Sequence, residues 1–315
     1  QTHNEAPAVS AARRGLTVQA FKKGPDFIDP GWLGRVAGRP CRNLDPFMMD
    51  ATTIAASFAR HTGGTDVAIV EGAMGLFDGV DLAGSGSTAH LAKILGAPVV
   101  LVINAARMTR SAAAVVLGCR QMDGDINLAG VIFNNVARPR HADMLRRAVE
   151  HYAGVRVLGA IPKKRSFDIP DRHLGLVPVG EDERLHAALD ALAAEAESHL
   201  DLDGILAVAG RALPLAVPDR PLYPPAVSGG CATVGVFRDR AFSFYYPENL
   251  EALEAAGARL RYIDALGDAL PPVDALYIGG GFPEVLAAEL EANRPLRDAV
   301  RRAVAAGLPV YAECG

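Results

Sequence analysis

The stretch Asp66-Val67-Ala68-Ile69-Val70-Glu71-Gly72-Ala73-Met74-Gly75-Leu76-Phe77-Asp78-Gly79 decides the fold. Its first apolar residues run without alternation, as in a strand covered on both faces of a parallel sheet. The run then ends on an acid and a glycine-rich turn. Acids at the C-terminal edge of a parallel strand lie where open α/β sheets bind ligands, and there they hold Mg²⁺ beside nucleotide phosphates. Gly72, Gly75 and Gly79 also fit plain turns, and Asp78 an ordinary loop acid. Glu71 is harder to dismiss, because a carboxylate ending a buried strand needs a partner or a task.

Working outward, Ala97 to Asn104, Leu128 to Asn134 and Val155 to Ile161 read as further strands. Helix-length segments at Ser111 to Met122 and His141 to His151 separate them, so the pattern is that of a doubly wound α/β sheet. From about Glu181 to Ala209 the chain becomes rich in Ala, Leu and Glu, and five prolines follow between Pro214 and Pro225. We expect a first domain over 1–185, a helical and proline-rich linker over 186–228 and a second α/β domain over 229–315. In the second, strands are expected at Ala232 to Phe237 and Ala275 to Ile278, with a helix at Pro247 to Ala256. Gly307 to Ala312 is expected to be a final buried strand.

Half of the 315 residues are apolar, enough for sizeable cores. The net charge of −4 with interspersed acids and bases leaves no electrostatic footprint for nucleic acid. No apolar run approaches the roughly 20 residues of a membrane-spanning helix, so no membrane role is expected. Cys41, Cys119, Cys231 and Cys314 form no CxxC pair, which argues against zinc and fits a cytoplasmic location. The first three read as small core hydrophobes.

Lys22-Lys23-Gly24-Pro25-Asp26-Phe27-Ile28-Asp29-Pro30 is the densest motif. It reads as a loop that places two acids near a lysine and suits a metal together with a polyanion; the plainer alternative has Asp29 capping a helix that starts at Pro30. Asn43 and Asp45 suit substrate contacts or helix caps, and His173 an anion or a packed core. Arg138, Arg140, Arg146 and Arg147 read as a solvated helix face. At the far end, Cys314 follows Tyr311-Ala312-Glu313 and enters a glycine, a common way to present a nucleophile.

Taken in order, FKKGPDFIDP (21–30), RNLDPFMM (42–49), VEGAMGLFDG (70–79), RHLGL (172–176), AFSFYYPENL (241–250), GGGFPE (279–284) and YAECG (311–315) resemble one family, the cobyrinic acid a,c-diamide synthases. These are glutamine-dependent tetrapyrrole amidases. The resemblance implies a P-loop-NTPase-like, dethiobiotin-synthetase-like domain followed by a truncated class I glutamine-amidotransferase-like domain. It also implies ATP, Mg²⁺ and L-glutamine, and a tetrapyrrole polycarboxylate amidated at its a and c side chains through an acyl phosphate. Lys22, Glu71 and Asp78 would serve nucleotide and phosphate, and Glu71, Asp78 and Asp29 the metal. Asp26, Phe27, Ile28 and Asp29, with Asn43 and Asp45, would face the substrate. Cys314 would attack glutamine, with Gly280 and Gly281 at the oxyanion.

The family's Gly-rich phosphate loop and amidotransferase histidine have no counterpart within residues 1–315, so this stretch alone is expected to lack full ATP binding and glutaminase activity. Lys22 to Leu33 and Met108-Thr109-Arg110 also resemble the branch that amidates sirohaem or nickel sirohydrochlorin. Two readings of another class remain: a partition-type switch ATPase, which would need no second domain with a terminal cysteine, and a scaffold without chemistry. Exposed sheet edges leave room for a homodimer.

Overall fold

The computed structural model describes residues 6–163, 191, 193–217, 219, 221–223, 225 and 231–314. His173 and its neighbours lie outside the described residues. The chain forms two compact units, the first built on described residues up to 219 and the second on those from 221 onward.

In the first unit β1 (Val18–Lys23) lies between β2 (Arg42–Leu44) and β3 (Val67–Glu71), all parallel. A second parallel sheet has the order β4 (Val99–Asn104), β5 (Leu128–Val136), β6 (Val157–Pro162). Its helical connections are α5 (Ser111–Met122) and α6 (Pro139–Tyr152). Successive residues of β5 point to opposite faces: Val131 and Phe133 pack with Val116, Leu145 and Val149, while Ile132 joins Leu158, Leu200 and Val208 on the other side. Both faces are thus covered, which explains the unbroken apolar runs. Each fully buried large side chain such as Phe133 contributes about 1.5–3 kcal/mol.

The helices of the first sheet begin and end where local chemistry dictates. α3 (Ala51–Thr62) is capped by Asp50, whose carboxylate accepts from the Thr53 N–H at 2.6 Å. α4 (Thr88–Leu95) is capped by Ser87 and stops at Gly96, which takes the left-handed conformation at φ 59°.

β1 was not anticipated as a strand. Lys22 and Lys23 end it rather than opening a loop, because Phe21 at 0 % exposure anchors a core with Leu44, Ile54 and Leu91. Nor does α2 (Ile28–Ala37) start at Pro30 under an Asp29 cap. Asp26 supplies the start, accepting from the N–H groups of Ile28 at 2.8 Å and Asp29 at 3.3 Å.

The second unit holds a parallel sheet ordered β12 (Val310–Ala312), β10 (Ala275–Ile278), β7 (Thr233–Phe237), β9 (Arg259–Ile263). An antiparallel pair, β8 (Phe242–Phe244) with β11 (Gly280–Gly281), stands beside it in the chain. Among the described residues β12 pairs with β10 and is exposed at all three residues. Of the cysteines expected in cores, Cys41 is buried, Cys119 half-buried and Cys231 exposed.

Candidate functional site

The first site grows from the register of three parallel strands. Lys22 stands opposite Asn43 on one side and Glu71 on the other, so the ends of β2, β1 and β3 present an amide, an ammonium and a carboxylate in a row. Gly24, at φ +89°, turns the chain beyond β1 so that α2 brings Asp29 back over the lysine. Lys22 Nζ lies 2.5 Å from Asp29 Oδ2, 3.4 Å from Glu71 Oε2 and 3.8 Å from Asp26 Oδ2. The Lys22, Asp29 and Glu71 side chains are at most 10 % exposed.

Burial works against the charge of Lys22, but the carboxylates of Glu71, Asp29 and Asp26 outweigh it, and its pKa moves up from the ordinary lysine value. The ammonium is therefore firmly protonated. Asp26 also moves up, first through its own burial and then through the negative Asp29 beside it. Three carboxylates surround one ammonium, a formal excess of two negative charges. Hard oxygen donors with that excess suit a divalent cation such as Mg²⁺.

Asn43 holds the loop in place, its Nδ2 donating to the carbonyls of Gly24 at 2.9 Å and Asp26 at 2.7 Å. Asp45 accepts from the Phe47 N–H at 2.8 Å and so shapes a turn; the cap of the following helix is Asp50. Phe27 and Ile28 are half-buried at the start of α2.

Asp78 does not join this cluster. It is exposed and accepts from the Gly75 N–H at 2.9 Å, so closely that a Cβ on Gly75 would sit 2.4 Å from its oxygen. In this structure Asp78 therefore stands apart from Glu71 and Asp29. Among the described residues no group of three or more His, Cys, Asp or Glu side chains has metal-holding geometry. The reason is local: a short turn consumes the Asp78 carboxylate, and Lys22 occupies the space between the other two.

The second site lies beyond β12. Glu313 N–H donates to the Ile278 carbonyl at 3.0 Å, extending the β10–β12 pairing to the residue before Cys314. Cys314 then takes φ +78°, which a residue with a side chain adopts at a cost of order 1–3 kcal/mol. The bend leaves its side chain exposed beside Gly280, where a Cβ would meet Cys314 Cβ at 3.0 Å and Sγ at 3.4 Å. Gly281 is equally constrained, since its Cβ would fall 1.9 Å from the Ala241 carbonyl oxygen.

One contributor escaped the sequence reading. Tyr245 accepts from the Gly279 N–H at 2.8 Å and donates to the Phe237 carbonyl, and its ring would meet a Cβ on Gly279 at 2.6 Å. Burial, first of all, pushes its pKa up, so it remains a neutral donor. It braces the glycine run that faces Cys314. Only its place in the AFSFYYPENL motif could have marked it.

Residues 233–315 match the family of CobB/CobQ-like glutamine amidotransferase domains, and residues 44–170 match an AAA domain family. A cobyrinate a,c-diamide synthase of Magnetococcus marinus is 48 % identical over 307 residues, covering 96 % of the chain and 66 % of the relative. The enzyme of the same description from Methanosarcina acetivorans is 46 % identical, covering 96 % and 63 %. That of Methanothermobacter thermautotrophicus is 40 % identical, covering 98 % and 70 %. The chain spans about two thirds of the length of these relatives.

Proposed function

Because the chain belongs to the cobyrinate a,c-diamide synthase family, we propose that it forms part of an ATP- and glutamine-dependent ligase that converts the a and c carboxylates of cobyrinate into amides. The observation that carries this reading is the bent Cys314 against Gly280. A thiol raised from a strand end on a strained bend is accessible to a carboxamide carbon.

In the glutaminase half, the Cys314 thiolate attacks the side-chain carbonyl of glutamine. A C–S bond forms, the carbonyl electrons move onto oxygen, and backbone N–H groups of the Gly280–Gly281 run would stabilise that oxyanion. Collapse expels ammonia with a proton, and water cleaves the thioester to glutamate. In the synthetase half, ATP gives its γ-phosphoryl to a substrate carboxylate, and ammonia displaces phosphate from the acyl phosphate to leave the amide.

Lys22 supplies positive charge where the phosphoryl group passes, and Asp29 and Glu71 hold it there. Glu71 and Asp29, here paired with Lys22, are the carboxylates that would hold Mg²⁺, which when bound neutralises charge on the phosphates. Asp26, Phe27 and Ile28, on the loop pinned by Asn43, are placed to meet the carboxylate being activated. No helix among the described residues is long and apolar enough to cross a membrane, and the reading places the reaction in the cytoplasm.

The test is to incubate the full-length protein separately with cobyrinate, sirohaem and nickel sirohydrochlorin, each with ATP, Mg²⁺ and glutamine. The expected result is a diamide from cobyrinate alone, identified by mass. Amide formed only on one of the other two macrocycles would overturn the substrate, and glutamate release without any amide would overturn the ligase reading.

A further inference from the structure

We propose that the loops leaving β4 and β5 form an arginine rim that binds the peripheral carboxylates of the macrocycle. This deepens the reading above and rests on it. Asn104, the last residue of β4, is in register with Asn134, two residues before the end of β5, so both loops leave from the edge of the sheet where α/β proteins bind ligands. The two loops are tied together. Asn135 Nδ2 donates to Asn104 Oδ1 at 3.2 Å, and His141 Nε2 lies 2.5 Å from the Met108 carbonyl. His141 Nδ1 accepts from the Ala137 N–H at 3.1 Å, so the ring proton sits on Nε2 and donates to Met108.

This pinned edge carries Arg107 and Arg110 on one loop and Arg138 and Arg140 at the start of α6, all exposed. Neither 105–122 nor 134–142 contains an acid. The backbone carbonyls of Arg110 and Arg138 join the first turns of their helices, but none of the four guanidinium groups has an ion pair or hydrogen-bond partner among the described residues. The contrast with their neighbours is sharp: Arg146 and Arg147 pair with Glu150 and Asp143, and Arg120 donates to the Ala153 carbonyl. The solvated helix face expected for Arg138 to Arg147 therefore divides into a paired half and an unpaired half.

Arg110 and Arg138 are also the N-cap residues of α5 and α6, and neither first turn contains an acid. Cations at two helix N-termini oppose both helix dipoles, an arrangement relieved by a bound anion. Four guanidinium forks on two separate loops match carboxylates spread around a ring better than one compact phosphate chain.

The experiment uses the full-length protein with paired substitutions Arg107→Ala and Arg138→Ala, and separately Arg107→Lys and Arg138→Lys. Binding of cobyrinate is read from the macrocycle's absorbance, with ATP and inorganic triphosphate titrated as separate arms. The alanine pair is expected to weaken cobyrinate binding about 10–100-fold, to raise its KM without changing kcat, and to leave ATP binding unchanged. The lysine pair should recover much of the loss. Unchanged cobyrinate binding would overturn the proposal, as would a loss confined to ATP or triphosphate, which would make the nucleotide the rim's anion. A failed ligase reading shows itself differently, as wild-type protein that yields no amide while the binding comparison stays readable.

Discussion

Lys22 and Cys314 each stand beyond or at the C-terminal end of a parallel strand, yet the two positions are prepared in opposite ways. Around Lys22 the work is done by side chains: three carboxylates converge on a buried ammonium, and a strand register sets the distances. Around Cys314 it is done by backbone: a positive φ, a glycine too close for a Cβ, and a tyrosine that grips the preceding peptide. The difference matches the roles proposed for the two sites. Phosphoryl transfer asks for charge held in place against solvent, whereas thiol attack on an amide asks for an exposed nucleophile and oriented N–H donors.

That contrast breaks most visibly at the lysine. Lys22→Met leaves Asp29 and Glu71 buried without their cation, and urea unfolding should show a loss of about 3–5 kcal/mol. Adding Glu71→Gln should return part of it. A loss below about 1 kcal/mol would mean that the cluster is already open to water.

The backbone site should respond in activity rather than stability. Gly280→Ala places a Cβ against Cys314, so glutaminase turnover should fall about 10–100-fold, while amide synthesis from supplied ammonia and the unfolding midpoint stay near wild type. If ammonia-dependent synthesis fell equally, the two chemistries would not be separable.

The smallest effect is electrostatic. Folding raises the pKa of Asp26, so its contribution to stability is full at pH values below the ordinary carboxylate range and is lost as the pH climbs through the raised value. Asp26→Asn remains neutral throughout. At pH 7 its Tm should exceed wild type by about 2 °C, and the advantage should vanish toward pH 3.

How far the sequence revealed this contrast depends on where each feature is encoded. Strands β3 to β6 were legible within two or three residues because continuous apolar runs mark strands covered on both faces. β1 was not, since Lys22 and Lys23 close it with charge and only the tertiary carboxylates make that tolerable. Composition could not show that the Asp78 carboxylate accepts from the Gly75 N–H in a short turn. The division of the arginines between Arg138 and Arg147 depended on which neighbours α6 carries one turn later. The strand and glycine marked Cys314 as a candidate nucleophile, and only the ordered family motifs gave it a glutamine-attacking role; the brace from Tyr245 left no such mark.

On the proposed function, two separable chemistries share this chain, one held by side chains and one by backbone. The direct test is Cys314→Ala in the full-length protein, assayed with cobyrinate, ATP and Mg²⁺, once with glutamine and once with an ammonium salt. No amide is expected from glutamine and near wild-type amide formation from ammonium; glutamine-dependent synthesis surviving the substitution would overturn the role proposed for Cys314.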